Sequence, residues 1–152
     1  MRTLTSFLMI LFLATAAFPM GLFAPSGQKV AVYAYPKDQV WSGCLDVLKG
    51  LPLEVADLEK GKIKTEWWSR EIVEKRFSIL GSAKEVRSQF FIYLKEEGPQ
   101  QTAVRIFSRQ EVQKFSGQQS LRSQPVASDG SQEAQFLESL STRLRELYEE
   151  KK

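Results

Sequence analysis

The stretch "SQFFIYLKEEGPQQTAVRIFSR", residues 88–109, decides the fold. Two runs with strand-like alternation, residues 88–95 and 102–109, flank Gly98 and Pro99. Alternation with a period of two is typical of a β-strand, and a Gly-Pro pair between two such runs favours a turn. The pattern predicts two neighbouring antiparallel strands, with one face of each turned toward a core.

Four more strands are predicted before this pair. Residues 28–35, 53–55, 62–68 and 71–80 have the same alternation, and Gly61 supplies the permissive backbone of the turn before the third of them. Successive strand side chains point to opposite faces. In "KIKTEWW", Trp67 falls on the face of Ile63 and Thr65, so the pattern predicts Trp67 in the core and Trp68 on the opposite face. The same argument places Val30 and Val32 in the core.

Two amphipathic helices complete the predicted fold. Apolar residues recur at three- and four-residue spacing in residues 37–51 and again in 131–150. Asp129 with Gln132 resembles a capping box at the second helix. Residues 116–130 are rich in Ser and Gln and predict a linker. We therefore predict one α+β domain, residues 27–150, with an antiparallel sheet of about five to six strands. One short helix and a long C-terminal helix pack on one face of that sheet.

The first residues, "MRTLTSFLMILFLATAAFPMGLF", are typical of an exported protein. Arg2, a short apolar run and the small residues 14–17 form the three parts of a secretory signal peptide. We expect a leader over residues 1–24, with cleavage near residues 16–17, and a location in the periplasm or at the periplasmic face of a membrane. The alternative is an uncleaved N-terminus that associates with the membrane.

The composition excludes several kinds of chemistry. The 152-residue chain has no His and a single Cys, Cys44. The commonest general base and metal ligand is therefore absent, and no intramolecular disulfide can form. The formal net charge of +3 is too small to indicate nucleic acid as a partner. We expect no enzyme, no cofactor and no metal site.

The segment from Tyr35 to Trp68 is similar to a family of exported bacterial proteins that share a domain of unknown function. The shared pattern is Val40-Trp41, Leu51-Pro52-Leu53, and the spaced set Gly61, Ile63, Thr65 and Trp67. The strand order and the terminal helix also resemble the helix-grip domains of BamC, a lipoprotein of the outer-membrane β-barrel assembly machinery. The resemblance implies an envelope location and a noncatalytic, partner-binding role. This chain lacks the lipid-accepting Cys of BamC and has one such domain rather than two.

The predicted face of the sheet opposite the helices carries an unusual set of side chains. A solvated sheet face is normally polar, whereas aromatic residues and Arg are enriched where proteins bind each other. We predict a partner-binding surface formed by Tyr33, Tyr35, Trp68, Phe91, Tyr93, Arg105 and Phe107, with Lys64 and Arg109 on the same face. The alternative is that these rings pair across strands and only stabilise the sheet. The pattern leaves both open.

These observations predict an exported, noncatalytic protein that binds one or more envelope proteins or assists assembly, and the resemblance to BamC links this role to outer-membrane assembly. The alternative function is a periplasmic carrier that holds a lipid or another apolar ligand between the long helix and the sheet. A cavity of a few hundred Å³ in that position would favour the carrier.

Overall fold

The computed structural model describes residues 27–72, 84–116, 119–120 and 123–149. The predicted leader and residues 73–80 of the fourth predicted strand lie outside the described residues. The strands are β1 (Lys29–Tyr33), β2 (Leu53–Asp57), β3 (Lys62–Thr65), β4 (Trp68–Ile72), β5 (Lys84–Gly98), β6 (Gln101–Ser116), β7 (Gln119–Ser120) and β8 (Gln124–Val126). The helices are α1 (Lys37–Val47), between β1 and β2, and α2 (Ser131–Tyr148), after β8.

A long hairpin of β5 and β6 forms the centre of the sheet. The strand order is β1-β6-β5-β3-β2, and all neighbours are antiparallel. β8 follows β1 along the outer edge of β6, and β4 follows β3 along β5. β7 pairs with the end of β6. Strands β7 and β8 both lie within residues 116–130, the segment predicted as a linker. The described part of the chain therefore contains more strands than predicted, because both flanks of the hairpin are broken into short pieces.

Both helices pack on the same face of the sheet, so the predicted α+β architecture is confirmed. α1 buries Val40, Trp41 and Cys44, as its three- and four-residue spacing predicts. α2 buries Phe136, Leu140 and Leu144. The core between the helices and the sheet is completed by residues of β3, β5 and β6: Ile63, Phe90, Ile92, Leu94, Val104 and Ile106.

The start of α2 differs from the predicted capping box. The residue before its first turn is Gly130, with φ +79°, and no side chain caps the helix. Asp129 instead accepts hydrogen bonds from the backbone N–H and the hydroxyl of Ser131, at 2.9 Å and 2.6 Å. An Asp side chain that bonds two residues ahead stabilises a turn, so Asp129 shapes the entry to the helix.

A one-residue bulge separates β3 from β4. Lys64 lies opposite Phe91 of β5, whereas Trp68 lies opposite Ser88. The four-residue step from Lys64 to Trp68 therefore lies opposite a three-residue step on β5, from Phe91 to Ser88. The extra residue reverses which side chains of β4 face the helices. Trp68 consequently faces the helices and Trp67 the opposite side. The predicted faces of the two tryptophans are wrong because the prediction treats residues 62–68 as one regular strand.

The face of β1 that packs against the helices is also not the predicted one, which carries the valines. Tyr33 is only 8 % exposed, and its hydroxyl donates to the Leu137 backbone carbonyl of α2 at 3.0 Å. Val30 and Val32 are 46 % and 51 % exposed. A tyrosine can be buried when its hydroxyl finds an acceptor, and the helix backbone supplies one here. The prediction of Val30 and Val32 in the core is therefore wrong.

A buried carboxylate fills the gap between β1 and β8 along the edge of β6. β1 pairs with residues 102–106 of β6 and β8 with residues 110–112. Between them, the backbone N–H and the hydroxyl of Ser108 donate to the Glu133 carboxylate of α2 at 2.8 Å and 2.7 Å. The Ser128 hydroxyl lies 2.9 Å from both carboxylate oxygens. Glu133 is fully buried, so its side chain replaces the carbonyl that a continuous edge strand would offer.

Candidate functional site

The outer face of the sheet is the face turned away from α1 and α2. Residues directly opposite each other in an antiparallel pair share a face. The pairs Phe91–Phe107 and Tyr93–Arg105 therefore lie together on the outer face, between pairs that face the core. The core residues of both described helices pack on the other side of the sheet, so no described helix covers the outer face.

Three rings and two guanidinium groups form one stack on the outer face, which we call the ring ladder: Arg109, Phe91, Phe107, Tyr93 and Arg105, in that order. The ring centroids of Phe91 and Phe107 lie 4.9 Å apart with planes at 4°, and those of Phe107 and Tyr93 lie 6.2 Å apart at 19°. The guanidinium carbon of Arg109 lies 5.0 Å from the Phe91 centroid, and that of Arg105 lies 4.9 Å from the Tyr93 centroid. Members alternate between β5 and β6, and a cation closes each end.

Neighbouring rings of the ladder are stacked, with their faces turned toward each other. The ammonium group of Lys64 adds a further cation, 5.5 Å from the Phe91 centroid. Phe91 is consequently only 8 % exposed although it lies on the uncovered face. Stacked rings and cation–π contacts stabilise the sheet, so the cross-strand pairing considered above is present.

A polar network borders the ladder. On the β3 side, Glu54 accepts from Lys64 and, at 3.0 Å, from the side-chain amide of Gln89. The same amide donates to the backbone carbonyl of Thr65 at 2.9 Å. Gln89 is 3 % exposed, so this network is a buried polar contact that fixes the position of Glu54 beside the ladder.

Trp67 lies beyond the Arg109 end of the ladder. The guanidinium carbon of Arg87 is 5.4 Å from the Trp67 ring, and Arg87 pairs with Glu111 at 2.9 Å. As in the ladder, a guanidinium group lies over an aromatic ring, but here Glu111 neutralises the charge of the guanidinium group. The site residues Trp67 and Arg87 were not predicted. The same alternation that places Phe91 on the outer face also places Arg87 there once β5 is extended back to Lys84.

Four of the seven predicted surface residues lie together in the ladder: Phe91, Tyr93, Arg105 and Phe107. Tyr33 is buried under α2, and Trp68 faces the helices because of the bulge. Tyr35 follows the end of β1 and contacts the last turn of α2. Its ring lies 5.8 Å from that of Tyr148 and its hydroxyl donates to Glu149. The prediction that Tyr33, Tyr35 and Trp68 belong to the outer face is therefore wrong.

We expect substitutions of the two tryptophans to differ in their effect on stability. The Trp68 ring lies 5.8 Å from the ring of Phe90 and packs against the core. We expect Trp68→Ser to lower the free energy of unfolding by about 2 kcal/mol, roughly half the cost of removing a fully buried tryptophan. Trp67→Ser loses one cation–π contact and should cost less than about 1 kcal/mol. Urea unfolding followed by circular dichroism measures both, and an equal loss for the two variants would contradict the bulge.

A cleft opens at one end of the interface between the helices and the sheet. Its volume is about 190 Å³, and its walls are the end of α1, the first half of α2 and the rings of Trp68 and Phe90. Elsewhere the interface is filled by fully buried side chains such as Ile92, Leu140 and Leu144. Pockets for drug-sized ligands have volumes of roughly 300–1,000 Å³. The cleft is therefore smaller than a typical pocket for a drug-sized ligand.

Two classes of reactive group can be assessed in the described part of the chain, metal ligands and the thiol. No group of three or more His, Cys, Asp or Glu residues there could hold a metal ion. Cys44 is buried, as expected, and burial raises the pKa of its thiol to about 12, so it is protonated at neutral pH. Among the same residues, no helix is both long enough and apolar enough to cross a membrane.

Comparison with known proteins adds no family to this description. No protein-family model matches the chain, and no curated protein matches it. The similarity to BamC and to the family with a domain of unknown function therefore stays a prediction from sequence.

Proposed function

We propose that this protein is an exported, noncatalytic module of the bacterial cell envelope that binds a protein partner through the outer face of its sheet. The observation that carries the proposal is the ring ladder, a cluster of three aromatic and two Arg side chains on a face that no described helix covers. Aromatic and Arg side chains dominate the energetics of protein interfaces. An assembly-accessory role fits such a module.

Export is supported by the sequence alone. The charged start, apolar run and small residues of positions 1–24 are typical of a signal peptide. The resemblance to BamC and to a family of exported bacterial proteins points to the same compartment. A noncatalytic role is supported by the composition, because a chain without His and with one buried Cys has few groups to act as base, nucleophile or metal ligand.

The outer face supports partner binding better than the cleft supports a carrier. The cleft has a volume of about 190 Å³ and lies at one end of an interface that is filled by buried side chains. The outer face, in contrast, presents the exposed side chains of Arg109, Val30 and Val32 on one continuous surface, since Val30 lies directly opposite Arg105. A protein surface could therefore contact both the ladder and the β1 edge.

Photocrosslinking in living cells tests this function. A benzophenone amino acid at Val30, which is exposed on the outer face, should give a discrete adduct in the envelope fraction after irradiation. Excess unmodified protein should compete the adduct away. The matched control is the same amino acid at Glu138, an exposed position of α2 on the helix side, where we expect no such adduct. Adducts from Glu138 alone, or from neither position, would contradict binding through the outer face, and a cytosolic mature protein would contradict export.

A further inference from the structure

The ring ladder does not fit ligands that bind by stacking. Proteins that hold nucleobases on a sheet use aromatic rings with a free face. In the ladder, Phe107 stacks with both Phe91 and Tyr93, and the guanidinium groups of Arg109 and Arg105 lie over the Phe91 and Tyr93 rings. Each ring therefore already has stacking neighbours within the ladder, which disfavours a base or a sugar ring as the ligand.

Among the described residues, the charged groups at the ladder that are free of ion pairs, Arg109 and Lys62, are positive. Aromatic rings carry partial positive charge at their edges. A guanidinium group stacked on a ring keeps its N–H donors in its own plane, where a carboxylate can accept two of them. Arg109 is exposed, and neither Arg109 nor Lys62 forms an ion pair with a described residue. Lys62 lies opposite Tyr93, so the two cations flank the ladder from different strands.

The spacing of Lys62 and Arg109 suits an extended partner. Lys62 and Arg105 both lie opposite Tyr93, and Arg109 is four residues from Arg105 on β6. A strand rises about 3.3 Å per residue, so Lys62 and Arg109 are about 13 Å apart along the strand direction. An extended peptide places residues i and i+4 at the same distance and on the same side. A helix places residues i and i+4 only about 6 Å apart. Acidic side chains on one side of an extended segment therefore match the ladder, whereas successive turns of an acidic helix do not.

An anionic membrane surface fits the outer face less well. Peripheral membrane proteins insert exposed aromatic or aliphatic side chains into the bilayer. Phe91 of the ladder is only 8 % exposed, and the exposed Val30 and Val32 lie on β1, beside the ladder. Glu54 and Glu111 border the ladder at fixed positions, held by Lys64 and Arg87. A narrow acidic segment can lie between these carboxylates, whereas a wide anionic surface would meet them.

We propose that the partner segment bound by the outer face is acidic and extended, and that Arg109 and Lys62 contact its carboxylates. This inference rests on the proposed function and adds the chemistry of the partner. Arg109 and Lys62 provide N–H donors and positive charge beside the ladder, and the partner supplies side-chain acceptors at alternate residues.

Fluorescence anisotropy with the purified protein tests the inference. The probe is a labelled peptide, GSETETESG in one-letter code, and the control peptide has Gln in place of each Glu. We expect the acidic peptide to bind at least tenfold more tightly than the Gln peptide, and its affinity to fall about tenfold between about 50 mM and about 500 mM NaCl because salt screens ion pairs. Arg109→Gln with Lys62→Gln should weaken binding about tenfold, whereas Lys49→Gln, an exposed Lys beyond the end of α1, should not change it.

Three results would overturn the inference: equal binding of the two peptides, no effect of the double substitution in a variant with an unchanged circular dichroism spectrum, or tighter binding to phosphatidylglycerol vesicles through the same two residues. The Val30 crosslink separates this test from that of the proposed function. A crosslink without acidic-peptide binding leaves the proposed function standing and removes the acidic partner. Absence of the crosslink removes the proposed function itself.

Discussion

Replacing Glu133 by alanine should lower the free energy of unfolding by about 3 kcal/mol. The substitution removes the acceptor for the backbone N–H and hydroxyl of Ser108 and for the hydroxyl of Ser128. Glu133 is fully buried, and Ser108 and Ser128 are 5 % and 7 % exposed. A buried donor left without an acceptor costs about 1–3 kcal/mol. The Ser108 N–H belongs to a strand and cannot turn to another partner, so most of the loss comes from it and from the opened edge of β6.

Two further variants make the Glu133 prediction specific. Glu133→Gln keeps one carbonyl oxygen in place, and the Ser128 hydroxyl can rotate to accept from the new amide, so we expect about half the loss. Glu138→Ala removes an exposed carboxylate from the same helix and should change the free energy of unfolding by less than about 0.5 kcal/mol. Urea unfolding at neutral pH compares the three. A Glu133→Ala loss no larger than that of Glu138→Ala would show that the carboxylate does not bridge the gap.

Glu133 also shows why part of the structure could not be predicted. A Glu in the first turn of an amphipathic helix is normally solvated or interacts with the helix N-terminus. Its burial follows from the gap between β1 and β8, which leaves the Ser108 N–H without a strand partner. That gap exists only after the sheet has assembled, so the local sequence contains no signal of it.

The periodicity of the sequence predicted the hairpin, the helices and part of the site. The hairpin of β5 and β6, both helices and the packing of α2 on one sheet face follow from periods of two and of three to four residues, and all are confirmed. Within the hairpin, alternation also placed Phe91 and Phe107 on the same face, which yields the centre of the ladder. The part of the site carried by β5 and β6 was therefore predictable from sequence.

The errors in the predicted site arise where alternation is interrupted or overridden. The extra residue between β3 and β4 has no signature in "TEWW", and it exchanges the faces of Trp67 and Trp68. In β1, the alternation is regular, but the hydroxyl of Tyr33 finds the carbonyl of Leu137 and Tyr33 takes the core side. Side-chain polarity alone favours the valines there. Both errors depend on contacts between residues distant in sequence.

Replacing Gly61 by alanine should be at least as destabilising, by about 3 kcal/mol or more. Gly61 has φ +61°, and a Cβ atom there would lie 2.2 Å from the backbone carbonyl oxygen of Leu94. The Gly61 carbonyl accepts from the Leu94 N–H at 2.7 Å, so the two backbones are held together at this point. A methyl group can fit only if the start of β3 moves away from β5, which breaks that hydrogen bond at the edge of the core.

Gly50→Ala provides the matched control for Gly61→Ala. Gly50 also has a positive φ, +100°, but a Cβ atom there would meet no atom within 4 Å. Its substitution therefore measures backbone strain alone, for which about 1 kcal/mol is expected. The difference between the two variants, about 2 kcal/mol by urea unfolding, isolates the close approach of β3 to β5. Equal losses would mean that backbone strain alone explains the effect of Gly61→Ala, and that the start of β3 can move away from β5, the strand that carries Phe91 and Tyr93 of the ladder.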